Sequence, residues 1–357
     1  MGHDRAVSRL AVVFALVVVS HADVREADAC ATAPPRGEEV AIAEEEALIV
    51  WDPATRTEQF IRRARFLSTA KSFGFLVPTP TVPTLGEVPD LVFYELADAI
   101  RPAIVRDTGG VDVRVGSLLW EACPAMKAKG GADTAAVGAQ VRVIATAHVA
   151  GFEATTVEAD DAAALATWLE GHGFASSPAL TQWLERYVRD KWKLTAFVVA
   201  SDQQGGTSYD VATRAVKMTF QTDRPFYPYR EPAADPAATV PLPGDRTLRV
   251  FFVADQRYQA MVAQAPWHAR VLHSAPIEVP GELAAVAGSH RMATVFVDEV
   301  SPRRGIDELY FAPSNATVDV RQPPIVIHDP TRILIPVDLI VVVGFVGLWI
   351  ARRRRRR

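Results

Sequence analysis

The sequence predicts an α+β fold: a mixed or antiparallel sheet covered by a helical pair, plus one C-terminal transmembrane helix. Three observations predict it. Short apolar, β-branched runs recur between turn signals through the first 230 residues. Two capped amphipathic segments follow one another between residues 160 and 190. An apolar run, Ile333 to Ala351, stands directly before six arginines. Strands and helices segregate rather than alternate, which favours α+β over a doubly wound sheet.

The N-terminus has the layout of a secretory signal. Arg5 and Arg9 precede the apolar run Leu10 to Val19, which is too short to span a bilayer. Small residues place cleavage after Ala22 or Ala29, so residues 1–29 are expected to be removed. An uncleaved anchor and a lipidated Cys30 are the alternatives; Ala27 is not the aliphatic residue that lipidation wants three places before the cysteine.

Residues 30–330 are expected to form the extracytoplasmic domain, with a subdivision near 231–245. Glu46 to Trp51 and Thr57 to Leu67 flank the turn Asp52-Pro53-Ala54-Thr55 and read as a hairpin. Phe73 to Val77 is a third strand, and Pro89-Asp90 starts a helix to about Arg101. Lys127 to Gln140 reads as an exposed loop, and Val141 to Ala159 as a second hairpin broken at Gly151. Asp160 caps a helix carrying Leu165, Trp168 and Leu169. Ser177 and Pro178 open another, whose Leu180, Trp183, Leu184, Tyr187 and Val188 recur at the helical period. Leu194 to Ala200, Ala215 to Phe220, Thr247 to Ala254 and Thr294 to Val297 read as strands.

At the C-terminus, residues 333–351 match the length needed to cross a bilayer, and Arg352 to Arg357 mark a cytoplasmic tail. The expected localisation is therefore a single-pass cell-membrane protein with its large domain outside the cytoplasm. Without the two ends, 29 basic and 37 acidic side chains remain, a balance that argues against nucleic acid as a partner. Cys30 and Cys123 are the two cysteines, and an oxidising compartment would favour a disulfide between them.

Seven segments carry a resemblance. Ala29-Cys30, EALIVWD, FGFLVPTPTVPTLGEV (Phe73 to Val88), Val149 to Phe152, WLEGHGF (Trp168 to Phe174), YVRDKWKLTAFVV (Tyr187 to Val199) and MTFQTDRPFYPYR (Met218 to Arg230) keep order and spacing. Together they resemble the uncharacterised bacterial family catalogued as domain of unknown function 2330, over about residues 29–230. The resemblance implies an exported bacterial protein, often membrane-anchored, and carries no activity. Family members often have Cys-Gly-Gly at the mature start, where this chain has Cys30-Ala31-Thr32.

No HExxH, GxSxG or P-loop pattern occurs. No catalytic, cofactor-binding or metal residue is assigned, and no cofactor is expected. His172 and Asp160-Asp161 read as helix caps, and Trp267-His268 with His273 lacks a third metal ligand. Phe226-Tyr227-Pro228-Tyr229-Arg230 gathers the side chains that partner surfaces use, or that a strand end packs on a core. Tyr227, Tyr229 and Arg230 are the candidate binding surface. The expected function is a binding or interaction module of the bacterial envelope, held to the membrane by its C-terminal helix and meeting an envelope component or partner protein. The alternative is an anchored hydrolase or transferase whose site is assembled from dispersed residues.

Overall fold

The apolar run Ala47 to Trp51 and the segment after its turn form the longest pair of strands among the described residues. Val40–Asp52 and Thr57–Ser68 run antiparallel through a turn in which the Asp52 carboxylate accepts the Ala54 amide at 2.8 Å and the Thr55 hydroxyl at 2.7 Å. These hydrogen bonds, aided by the Thr55 hydroxyl above all, hold the Asp52 carboxyl below its ordinary range. A computed structural model describes residues 32–116 apart from 36, 37, 39, 108 and 110; 142–200 apart from 175; 209–233; 246–299; 307–328; and 331–356.

The hairpin is the centre of an eight-stranded mixed sheet. Its strand order is Arg270–Pro276, Met292–Asp298, Thr247–Ala254, Val40–Asp52, Thr57–Ser68, Val216–Gln221 and Thr84–Glu87, with Tyr209–Ala212 also paired to Thr57–Ser68. Thr247–Ala254 lies parallel to Val40–Asp52, and the other pairings are antiparallel. A second sheet of five antiparallel strands contains Ser72–Thr79, Lys193–Ala200, Phe152–Glu158 and Arg142–Val149, with Thr32–Ala33 at its edge. A third, smaller sheet is built from Phe226–Tyr227, Leu309–Pro313, Tyr258–Val262 and Ala265–Pro266.

Period-two alternation sorts the side chains into layers. Along Thr247–Ala254, Leu248, Val250 and Phe252 face the space between sheets, where they meet Phe60, Phe75 and Phe197 in one core. Phe251 and Val253 face the other way, and a central strand buried on both faces needs such a continuous apolar run. That outer face is covered by α1 (Leu91–Ala99) through Val92, Phe93 and Leu96. The predicted helices are α2 (Ala162–Gly171) and α3 (Pro178–Arg189), capped by the Asp161 carboxylate and the Ser177 hydroxyl. Their Leu165, Trp168, Leu169, Leu180, Trp183 and Leu184 pack on Leu76, Val157, Leu194 and Ala196 of the five-stranded sheet. A short α4 (Gly281–Ala287) joins α1 over the large sheet, and α5 (Val337–Arg354) follows the last strand.

Among the described residues the fold is mostly β, with 47% of them in strands and five helices, rather than an α+β sheet with a helical cover. The helical pair covers the smaller of the two principal sheets. The excess of strand comes mainly from short, proline-punctuated segments between Tyr258 and Pro336, whose two-to-seven-residue lengths give too little periodicity to read.

The transmembrane helix and the single-pass localisation are also overturned: no helix among the described residues is long and apolar enough to cross a membrane. Thr331–Pro336 is a strand, parallel to Val111–Gly116, and α5 begins only after Pro336. Proline disfavours helical backbone in the residue before it, so the apolar run divides there. What remains before Arg352 spans only about 22 Å at 1.5 Å per residue. The expected signal segment, Cys30, Cys123 and the loop at 127–140 lie outside the described residues.

Candidate functional site

The aromatic segment singled out in the sequence is interior. Tyr227 and Tyr229 are 0% and 1% exposed and Arg230 is half-buried, so the two tyrosines pack in the core rather than offer a surface. The cause is visible in the chemistry of their neighbours. The Tyr229 ring meets Trp267 edge-on at 5.5 Å, and its hydroxyl donates to Asp298 at 3.0 Å. The Trp183 indole N–H donates to the Arg230 carbonyl at 2.9 Å, and the Arg230 guanidinium returns a hydrogen bond to the Trp183 carbonyl at 3.2 Å. The segment therefore fastens α3 to the small sheet.

Beside it lies a buried acid. Glu308, 1% exposed, accepts the Tyr187 hydroxyl, and its other oxygen accepts the Arg230 amide at 3.2 Å. Burial pushes the Glu308 carboxyl up to about 7, against the lowering effect of those two hydrogen bonds and of Arg186 and Arg230. Further along the same interior, Arg62 donates to Glu45 at 2.5 Å with its guanidinium over the Phe75 ring, while Arg246 pairs with Glu231 at 2.7 Å. Burial opposes charge on Glu45, yet Arg62 and Arg246 outweigh it and hold the carboxyl below its ordinary range. Among the described residues Glu58 has no such partner: burial pushes it well above the carboxylate range, and it accepts the Phe226 amide at 3.0 Å.

A concavity opens where the tip of the first hairpin meets the small sheet. It is a half-open cleft of 480 Å³, and four segments distant in sequence line it: 51–56, 223–225, 258–264 and 307–313. Trp51, Tyr258 and Phe311, all nearly buried, form the floor, and Tyr310 stands half-buried on one wall. Arg56 and Arg224 stand at the rim, the first paired with Asp223 at 3.0 Å, the second with its guanidinium 3.4 Å from the Tyr310 ring centroid. Burial raises the Tyr310 hydroxyl pKa, and Arg224 works against that rise.

The backbone of this cleft is strained. Arg56 at φ 51°, Ala263 at φ 47° and Gln264 at φ 67° all line it. Val262 pairs with Ala265, so Ala263 and Gln264 form a two-residue hairpin loop with both φ positive, a conformation that ordinarily selects Asn-Gly. Left-handed backbone costs a residue with a Cβ roughly 1–2 kcal/mol. None of these residues was singled out in the sequence. Arg224-Pro225, two places before the aromatic segment, was the one available sign, a turn dipeptide bearing a charge.

The other sequence candidates lie apart. His172 donates from Nδ1 to the Trp168 carbonyl, 2.7 Å away, at the end of α2, and Asp161 caps the start of that helix. His148 lies on the exposed edge strand of the five-stranded sheet. Burial holds the His273 imidazole below its usual range, and its Nε2 lies 3.1 Å from the Ala275 carbonyl. His268 is half-exposed, with Nε2 3.2 Å from Asp298. No group of three potential metal ligands converges among the described residues.

A family model described as an uncharacterized protein conserved in bacteria, DUF2330, matches residues 24–294. No curated protein and no solved structure matches the chain.

Proposed function

The chain belongs to the bacterial family DUF2330, and from that premise we propose that it is a binding module whose ligand seats in the cleft beneath the first hairpin. One observation carries this reading: three non-glycine residues held in left-handed backbone line a single concavity. Strain of that kind persists where the surrounding fold over-determines a shape, and it gathers at ligand clamps. The cleft also joins an apolar aromatic floor to a charged rim, the mixture that orients as well as holds a ligand. The proposal needs no membrane anchor.

The test places a photo-crosslinking amino acid in producing cells at Gln259 or Gln264 on the rim, or at Tyr94 on the exposed side of α1. Adducts at the two rim positions and none at Tyr94 are expected. Equal labelling at all three, or none at the rim, would refute the reading.

A second reading, acid–base chemistry, is favoured by one arrangement. Asp298 is buried, accepts from the Tyr229 hydroxyl and faces half-exposed His268, the partnership that fixes an imidazole's tautomer and orientation. Among the described residues no hydroxyl or thiol is hydrogen-bonded to His268, so binding is the better supported of the two.

A further inference from the structure

We propose that Arg224 makes the cleft an oxyanion site, taking a carboxylate or phosphate group of the ligand. This rests on the cleft being where the ligand binds. The first argument is a census of charge. Among the described residues, Arg56, Asp223, Arg224 and Asp307 are the charged ones lining the cleft. Asp223 is held by Arg56 at 3.0 Å, and Asp307 by Arg186 of α3 at 2.7 Å. Arg224 is the remaining one, and among the described residues it has no carboxylate within ion-pair distance.

The second argument is posture. The Arg224 guanidinium lies over the Tyr310 ring at 3.4 Å from its centroid. Stacking satisfies the face of the guanidinium; of the five N–H donors along its edge one is within reach of the Tyr310 hydroxyl, and the others match a planar or tetrahedral oxyanion two at a time. Ammonium could not use the ring in the same way, so arginine is the fitting residue here.

The third is rigidity. The turn that carries Arg224 is tied at both ends. The Thr222 hydroxyl donates to the Arg224 carbonyl at 2.9 Å, and the Thr222 amide to the Arg56 carbonyl at 3.0 Å. On the far side Pro225 restricts the Arg224 backbone and its carbonyl accepts the Phe311 amide at 3.0 Å. The Phe226 amide is fixed on buried Glu58. A side chain presented by such a turn loses little freedom on binding, which favours affinity.

The experiment titrates the full chain, labelled at arginine Nε, with three probes: inorganic phosphate, N-acetyl-dialanine with its free carboxylate, and the same dipeptide as its neutral amide. The Arg224 Nε resonance should shift saturably with phosphate, with the free carboxylate, or with both, and not with the amide. Which anion saturates it identifies the source. In Arg224→Gln, the affinity read from the remaining cleft resonances should fall roughly tenfold or more, the loss expected for a charged hydrogen bond. Tyr310→Leu, which removes the platform and leaves the charge, should weaken binding severalfold. No saturable shift with either anion, equal response to the amide, or unchanged affinity in Arg224→Gln would each overturn the oxyanion site. Rim crosslinking at Gln259 would still stand in those cases, so the two readings fail separately.

Discussion

Replacing Glu308 by glutamine should change sign in its effect on stability as pH rises. The carboxyl titrates at about 7 in the folded protein against an ordinary value of 4.5. Between those values the folded state keeps a proton that the unfolded chain has released. Stability therefore falls as pH rises through this window, and the full loss is reached above 7. At about 1.4 kcal/mol per pH unit, the window represents roughly 3 kcal/mol. Glutamine is neutral at every pH and avoids that loss. It cannot accept at both ends, however, so either the Tyr187 hydroxyl or the Arg230 amide loses its acceptor, at a cost of about 1 kcal/mol. Near pH 4 Glu308→Gln should thus be less stable than the parent by about 1 kcal/mol, and near pH 8 more stable by about 2 kcal/mol. Urea unfolding of the full chain at the two pH values measures both differences. An identical difference at both would refute the reasoning, because it would mean that Glu308 ionises alike in the folded and unfolded chain.

Trp183→Ala should cost roughly 3–5 kcal/mol, since it empties a site where the ring packs edge-on to Tyr187 at 4.6 Å and donates to Arg230; thermal unfolding would show it. Arg62→Ala should cost a similar 3–5 kcal/mol by stranding the Glu45 carboxylate in the interior, and chemical denaturation checks this. Ala263→Gly and Gln264→Gly should each stabilise by up to about 1 kcal/mol, because glycine adopts positive φ without a Cβ clash; an unchanged or lowered midpoint would contradict the strain assigned to this loop.

Much of the N-terminal two thirds is legible residue by residue. Thr57 to Leu67 reads as a strand after the Asp52 turn and forms Thr57–Ser68; Ser177 and Pro178 cap and open α3 as their chemistry requires. The helical pair and its buried tryptophans are read from spacing alone. Legibility ends where an element is short or its role is set by what lies beside it. Ala265–Pro266 offers two residues, and Thr331–Pro336 looks like part of a longer apolar helix until its partner Val111–Gly116 is known. Tyr227 and Tyr229 carry the side chains of a binding surface, and only the three-dimensional fold shows them facing Trp267 and Phe60. The cleft was hidden for a deeper reason. Its walls come from four separated segments, and its strain resides in torsion angles of Arg56, Ala263 and Gln264, residue types that give no hint of them.

The parallel pairing of Thr247–Ala254 with Val40–Asp52 has a consequence for the newly made chain. During synthesis the first hairpin emerges about 200 residues before the strand that covers its edge, a delay on the order of 10–40 s at ordinary translation rates. Through that interval Ala47 to Val50 present an apolar, unpaired edge of the kind that recruits other strands. Holding chaperones that mask residues 40–52 until residue 254 has left the ribosome should therefore raise the yield of native protein more than those acting on the finished chain.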